Sequence, residues 1–149
     1  MSRETDLLES VAMSVTLAAK VQRTLFAARL ATIGLRLGQP LVLLHLYRED
    51  GLSQTQLAER LRVEPPSVTK VVRGMADAGL VVRERDPEDT RVVRVRLSDR
   101  GLALRPELEQ AWQEASEQVF GGLDAGDRAT LKALLDRVVD TASDRSTIP

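Results

Sequence analysis

Residues 53–97 constrain the fold of this 149-residue chain more strongly than any other segment. They have the pattern of a short helix, a turn, a second helix that ends at a glycine, and two strands joined by the polar tip Asp86-Pro87-Glu88-Asp89-Thr90-Arg91. A helix-turn-helix followed by a basic two-stranded loop is a shape that fits a DNA groove. The segment therefore predicts a mostly α chain with a small β-hairpin wing.

Capping signals set the limits of the two short helices. Ser53 is a typical N-cap residue, and Gln56 can complete a reciprocal capping box three positions later. The first helix is expected to end at the turn Arg62-Val63, and Pro65-Pro66 suit the first turn of the second. Apolar spacing predicts the buried face of that second helix: Val68, Val71, Val72 and Met75. Gly79 is expected to close it in the left-handed conformation.

Two strands are predicted after these helices, at residues 81–85 and 91–97. Alternation along the second strand places apolar side chains on one face and arginines on the other: Val93, Val95 and Leu97 against Arg94 and Arg96. Asp86-Pro87 is a favourable opening for a type I turn. We therefore expect one hairpin with arginines on one of its faces.

Long amphipathic segments precede this central piece. Residues 6–33 predict one long helix, because apolar residues recur at spacings of four and three: Leu7, Val11, Val15, Ala18, Val21, Leu25 and Ala28. Further apolar side chains widen this stripe, so we expect the helix to pack partly against another molecule. A plain core helix is the alternative. A second helix is expected from Pro40 to Glu49.

The C-terminal third is predicted to hold two more helices. Ser98 caps the first, which is expected to continue to Phe120 with a kink or a late start at Pro106. Asp124 caps the second, whose inner face is predicted to carry Leu131, Leu134, Leu135, Val138 and Val139. A frayed polar tail is expected from Ser143 onward.

Composition excludes several kinds of chemistry. The chain has no cysteine and one histidine, so disulfides, thiolate chemistry and paired-histidine metal sites are excluded. It also lacks a nucleophile-base pair and a glycine-rich phosphate loop, so no enzyme, metal or cofactor is predicted. The N-terminus lacks the plan of a signal peptide, and the apolar run Leu41 to Leu44 is far too short to span a bilayer. A cytoplasmic protein without membrane contact is expected.

The charged residues are distributed unevenly along the chain. The net charge of −1 by itself argues against nucleic-acid binding. Residues 60–105, however, hold 11 basic and 7 acidic side chains, whereas residues 106–149 hold 4 basic and 9 acidic ones. Because a local patch rather than the mean sets the affinity for phosphates, the middle third is the candidate DNA-binding face.

The second helix of the helix-turn-helix offers polar groups that can bind DNA. Its outer face is predicted to carry Ser67, Thr69, Lys70 and Arg73. Hydroxyls can donate to phosphates or base edges, and an arginine there can reach guanine O6 and N7. The helix N-terminus also favours a phosphate. The alternative is an ordinary solvated helix face.

The wing tip carries three acids that would repel phosphates if unpaired: Asp86, Glu88 and Asp89. We expect Asp89 to pair with a nearby arginine, Arg91, and to hold its guanidinium so that it points into the electronegative minor groove. Four strand arginines are predicted to contact phosphates or to be structural: Arg83, Arg85, Arg94 and Arg96. Of these, Arg85 and Arg94 are included in the predicted DNA-binding set. Arg60 and Arg62 are similar candidates, and a surface hairpin with ordinary ion pairs is the alternative.

Four stretches together resemble the MarR (multiple antibiotic resistance regulator) family: Leu57-Ala58-Glu59-Arg60-Leu61, Val68-Thr69-Lys70-Val71-Val72, Ala78-Gly79-Leu80-Val81 and the wing tip. The resemblance extends over nearly the whole chain. It implies a single domain, 1–149, with a winged helix-turn-helix DNA-binding lobe at 37–97. Dimerisation helices are implied at 6–33 and 99–142.

The resemblance also implies roles for particular residues. The family arginine that matches Arg91 enters the minor groove, whereas Thr90 stands where a second arginine often occurs, which predicts a lower wing affinity. Small phenolic or lipophilic effectors bind family members between the dimer helices and the DNA-binding lobe. His45, Tyr47 and Trp112 are candidate effector-binding residues, and core or rim positions are the alternative for all three.

These observations predict a sequence-specific transcriptional regulator, acting as a homodimer on a pseudo-palindromic operator in double-stranded DNA. A repressor that a small-molecule effector releases is expected. A winged-helix module that binds protein without DNA is the alternative. The basic residues at 67–73 and 83–96 discriminate between them, because a protein-binding wing does not need them.

Overall fold

The computed structural model describes residues 6–145, with side chains as far as 143. The predictions for residues 1–5 and 146–149 lie outside this range. A 3-10 turn at Leu7–Glu9 precedes seven α-helices and three β-strands within it: α1 (Val11–Ala31), α2 (Gln39–Arg48), β1 (Leu52–Ser53), α3 (Gln54–Leu61), α4 (Pro65–Asp77), β2 (Val81–Arg85), β3 (Val93–Leu97), α5 (Asp99–Ala103), α6 (Arg105–Phe120) and α7 (Ala125–Arg145).

The predicted helix-turn-helix is confirmed as α3 and α4. Ser53 Oγ accepts a hydrogen bond from the Gln56 amide at 3.0 Å, and Gln56 Oε1 accepts one from the Ser53 amide at 2.9 Å, so both halves of the capping box are present. At the end of α4, Gly79 takes a positive φ of 73°, and the Leu80 amide donates to the Met75 carbonyl at 2.9 Å. Gly79 therefore ends the helix as predicted.

The wing belongs to a three-stranded antiparallel sheet with the order β1-β3-β2. The predicted hairpin is confirmed, with Val81 opposite Leu97 and Arg85 opposite Val93. Its second strand begins at Val93 instead of residue 91. The short β1, which pairs Leu52 with Val95, is absent from the sequence prediction because two residues are too few to show a strand period.

An aliphatic core joins the helix-turn-helix to the sheet and to α2 and α6. Its most deeply buried side chains include Leu43, Leu46, Leu57, Val72, Met75, Val95 and Leu108. Three of the four residues predicted for the inner face of α4 are buried, and Val71 is half-buried against them. The polar face of α4 is thereby directed outward.

The flanking helices are interrupted where local caps intervene. Ser10 adopts an extended conformation and caps the Met13 amide, so α1 begins at Val11 and not at residue 6. The apolar stripe of this helix is largely exposed in the single chain, with Val11 80 % exposed. Ser98 caps α5 as predicted, and a break at Leu104 separates α5 from α6, which begins at Arg105 with Pro106 in its first turn. The predicted interruption at Pro106 is therefore present as a break between two helices.

The prediction of a buried inner face on the last helix is wrong for the single chain. Asp124 does cap α7, by accepting a hydrogen bond from the Asp127 amide at 2.8 Å. Four of its five predicted inner residues are nevertheless exposed: Leu134, Leu135, Val138 and Val139. The helix also continues through residue 143 to Arg145, where a frayed tail was expected. Within residues 6–145, no helix combines the length and apolar character needed to cross a membrane.

Candidate nucleic-acid interface

The outer face of α4 presents three polar side chains that are free to contact a ligand. Ser67, Lys70 and Arg73 are exposed, and none makes a side-chain hydrogen bond or ion pair with another residue in the range 6–145. Pro65 and Pro66 start the helix without backbone N–H groups, and the Ser67 amide donates to the Glu64 carbonyl at 3.0 Å. The donors available near this end of α4 are therefore the side chains of Ser67 and Lys70, which lie close to the positive end of the helix dipole.

Thr69 differs from these three because its hydroxyl is engaged within the helix-turn-helix. Its Oγ1 lies 3.2 Å from Gln54 Oε1 and 3.2 Å from the Pro65 carbonyl oxygen. The buried Nε2 of Gln54 has no partner in the described chain. A rotation of the Gln54 amide by half a turn would let Nε2 donate to Thr69 while the hydroxyl donates to Pro65. Thr69 thus ties α3 to α4.

Asp86 organises the wing loop. Its Oδ1 accepts hydrogen bonds from the Glu88 amide at 2.8 Å and the Asp89 amide at 3.2 Å. Its Oδ2 accepts one from Arg94 Nε at 2.6 Å, and its side chain is only 13 % exposed. Arg94 also donates to the Gly51 carbonyl at 3.1 Å. Of the two roles left open for Arg94, these bonds favour the structural one.

The Arg94 guanidinium beside Asp86, followed by the two loop amides, holds the pKa of this carboxyl below its ordinary value of 3.8. A depressed folded-state pKa means that ionised Asp86 stabilises the wing at pH above the unfolded-state value, and that this contribution is lost as the pH falls through the folded-state value. An NMR titration of the Asp86 carboxyl carbon is expected to show a midpoint below 3.8. The Arg94→Ala variant should raise this midpoint, and an unchanged midpoint would contradict the assignment.

The predicted pairing of Asp89 with Arg91 is confirmed. Arg91 Nε lies 3.1 Å from Asp89 Oδ1, and Nη2 lies 3.2 Å from Oδ2. The Arg91 amide donates to the same carboxylate, and these bonds, the side-chain one first, lower the pKa of Asp89. Arg91 remains 90 % exposed at the tip. The carboxylate therefore orients a guanidinium that is still open to solvent.

The remaining arginines of the lobe fall into two groups. Most are bonded within the chain: Arg85 donates to the Thr90 carbonyl, Arg96 pairs with Glu84, Arg60 pairs with Glu49, and Arg62 bonds to α7. By contrast, the side chain of Arg83 has no such partner in the described part of the chain. Most basic side chains of residues 60–105 are thus bonded, and two of the three without a bonded partner among the described residues, Lys70 and Arg73, lie on α4.

The three candidate effector residues have different surroundings among the described residues. Tyr47 donates its hydroxyl to the Gly101 carbonyl at 2.7 Å, and burial raises its pKa. His45 borders a polar cleft with Arg48, Glu49 and Arg60, and burial followed by the two arginines lowers its pKa. Trp112 packs edge-on against Phe26, with ring centroids 4.7 Å apart. For Tyr47 these contacts favour the alternative of a core position.

Trp112 nevertheless lines two apolar clefts. The first, of about 310 Å³, lies between α1 and α2 and includes Phe26, Leu37 and Leu41. The second, of about 480 Å³, lies between α6 and α7 and includes Phe120. Both are large enough for a small aromatic molecule.

A helix-turn-helix followed by a β-hairpin wing defines the winged helix-turn-helix class of proteins, and α3, α4 and the β2–β3 hairpin have this arrangement. Comparison with known proteins places the chain more narrowly. A model of the MarR family matches residues 33–92. The HTH-type transcriptional repressor Rv2887 of Mycobacterium tuberculosis is 30 % identical over 118 residues, which cover 79 % of this chain and 85 % of that protein. The chain belongs to the MarR family.

Two further relatives show the extent of the likeness. The PcaV transcriptional regulator from Streptomyces coelicolor, solved in complex with its natural ligand, superposes with a TM-score of 0.86 at 26 % identity, covering 95 % of this chain and 99 % of that one. An uncharacterized HTH-type transcriptional regulator of Bacillus subtilis, YdgJ, is 29 % identical over 93 residues. That match covers 62 % of this chain but only 57 % of YdgJ.

Proposed function

We propose that this protein is a sequence-specific transcriptional repressor that binds a pseudo-palindromic operator as a homodimer. The observation that carries the proposal is that one lobe presents both a free polar face on α4 and an oriented, exposed arginine at the wing. Ser67, Lys70 and Arg73 supply the major-groove contacts, and Arg91, held by Asp89, supplies the minor-groove contact. The relative in M. tuberculosis is named as a repressor, which supports the same function.

The proposal assigns the exposed apolar faces outside the lobe to the dimer. Residues 6–33 and 99–142 are the dimerisation helices, 37–97 is the DNA-binding lobe, and 1–149 form a single domain. The exposed side chains of α1 and α7 support this division, since stripes such as Val11, Val15 and Val138 are otherwise left in water. Burying these apolar side chains against a second copy of the chain removes the free-energy cost of exposing them to water.

A small phenolic or lipophilic effector is proposed to relieve DNA binding. The support is the pair of apolar clefts at Trp112, together with the ligand bound by the PcaV relative. The protein is proposed to act in the cytoplasm as a regulator and not as an enzyme, in keeping with the named functions of its relatives.

Footprinting of the purified protein on the DNA upstream of its own gene tests this function. Two protected half-sites about one helical turn, or roughly 10 base pairs, apart are expected. Arg73→Ala should weaken protection without changing the fold, since its side chain has no bonded partner within residues 6–145. Equal protection by the variant and the wild type would remove Arg73 from the DNA contacts, whereas a wild type that protects no DNA would favour a winged-helix module that binds protein.

A further inference from the structure

Arg62 connects the helix-turn-helix to the C-terminal helix. Its Nη2 lies 3.0 Å from Asp140 Oδ1, and its Nη1 lies 2.7 Å from Ser143 Oγ and 3.4 Å from the Val139 carbonyl oxygen. All three acceptors lie in the last turns of α7, whereas Arg62 follows α3 directly and precedes the recognition helix α4. One guanidinium therefore bridges residues that are 77 to 81 positions apart in the sequence.

The backbone of Arg62 indicates that its side chain matters. It adopts φ 55° and ψ 44° at the end of α3, and among the described residues it is the one non-glycine with a positive φ. Glycine would hold this left-handed conformation without strain, and it is the usual residue there. An arginine at this position supplies a contact that glycine cannot make.

The position of α7 makes such a contact consequential. Its aliphatic side chains are largely exposed, so packing within the single chain does little to fix its far end. At its near end, Arg128 bonds to Glu117 and to the Leu123 carbonyl. The bridge from Arg62 therefore holds the distal end of α7 against the turn from which α4 starts.

We propose that Arg62 is a positioning residue that couples the orientation of the recognition helix to α7, and that it does not contact phosphate. This inference rests on the proposed DNA-binding function. An exposed ion pair has a modest effect, so loss of the bridge is expected to weaken DNA binding about two- to fivefold by reducing the population of the binding orientation.

Two variants separate positioning from phosphate contact. Arg62→Gly keeps the left-handed turn and removes the guanidinium, and Asp140→Ala removes its partner on α7. Binding to the footprinted DNA fragment is measured for each variant, for the double variant and for Asp140→Glu, at several salt concentrations. Hydrogen exchange of residues 139–143 reports the bridge directly, and thermal unfolding controls for the fold.

Positioning predicts that both single variants weaken binding, that the double variant is no weaker than either, and that Asp140→Glu binds like the wild type. The dependence of affinity on salt should stay unchanged, and exchange at 139–143 should rise in both single variants. Phosphate contact predicts the opposite sign for Asp140→Ala, because removing an acid that competes for Arg62 would tighten binding. Phosphate contact also predicts a change in the slope of the logarithm of affinity against the logarithm of salt concentration. In Arg62→Gly this slope should be less steep by about 0.9 for each lost contact.

The failure of this proposal is distinguishable from failure of the proposed function. A wild-type protein that binds no DNA would reject the function and, with it, the positioning role. A wild-type protein that binds DNA while Asp140→Ala binds equally well or more tightly would reject the Arg62 assignment alone.

Discussion

Replacing Arg91 with alanine is expected to raise the Kd for operator DNA about thirtyfold. The bidentate contact with Asp89 orients the Arg91 guanidinium at the wing tip, where the side chain is 90 % exposed to solvent and is proposed to enter the minor groove. One such contact contributes about 1 kcal/mol, and a dimer has two wings, so the loss is about 2 kcal/mol. Fluorescence anisotropy with a labelled operator fragment measures the change.

Variants within the same loop provide matched controls. Thr90→Ala leaves the charge and the wing bonds in place, because only the backbone carbonyl of Thr90 is used, and it should bind like the wild type. Asp89→Asn keeps Arg91 but removes the carboxylate that orients its guanidinium, so an intermediate loss of DNA affinity is expected. If Arg91→Ala and Thr90→Ala bound DNA equally well, the wing would have no role in affinity.

Gly101→Ala is expected to destabilise the protein by about 2 kcal/mol or more, since an added methyl group in a packed site forces the backbone to move. A Cβ on Gly101 would overlap the Leu80 carbonyl oxygen and lie 3.1 Å from its carbonyl carbon. Gly101 also accepts the hydrogen bond of Tyr47 and donates to Ser98 Oγ. Thermal unfolding at a fixed protein concentration is the measurement, since dimerisation affects the midpoint.

The same substitution at Gly74 has the opposite expected sign. A Cβ on this helical glycine would meet nothing within 4 Å, and its φ is not positive. Alanine there should stabilise α4 by about 0.5–1 kcal/mol, because glycine is a poor helix former. Destabilisation of equal size at both positions would show that the close approach of Gly101 to Leu80 has no special role.

Local signals in the sequence predicted the elements whose limits depend on a few neighbouring residues. The capping box at Ser53, the left-handed Gly79 and the break before Pro106 all follow from the chemistry of adjacent backbone groups. By contrast, β1 exists because Leu52 meets Val95 in space, and no local pattern announces a strand of two residues. The exposure of α7 likewise depends on tertiary placement.

The site was predictable to a similar degree. The Asp89–Arg91 pair was predictable from the sequence, because the two residues carry opposite charges and lie in one short loop. The central role of Asp86 was missed, although an aspartate before a proline that opens a turn is a signal for side-chain bonds to loop amides. The bridge from Arg62 to Asp140 could not be predicted, since it joins segments that only the fold brings together.

The dependence of DNA affinity on salt tests the central claim most directly. Lys70, Arg73 and Arg91 of both subunits place six positive charges in the DNA grooves between the phosphates. If each releases about one condensed counterion, the logarithm of the association constant should fall with the logarithm of salt concentration with a slope of about −5. The measurement uses the fragment that contains the footprinted operator, between low and moderate salt. A slope near that value supports DNA binding through α4 and the wing, and an affinity that stays flat across this range would contradict it.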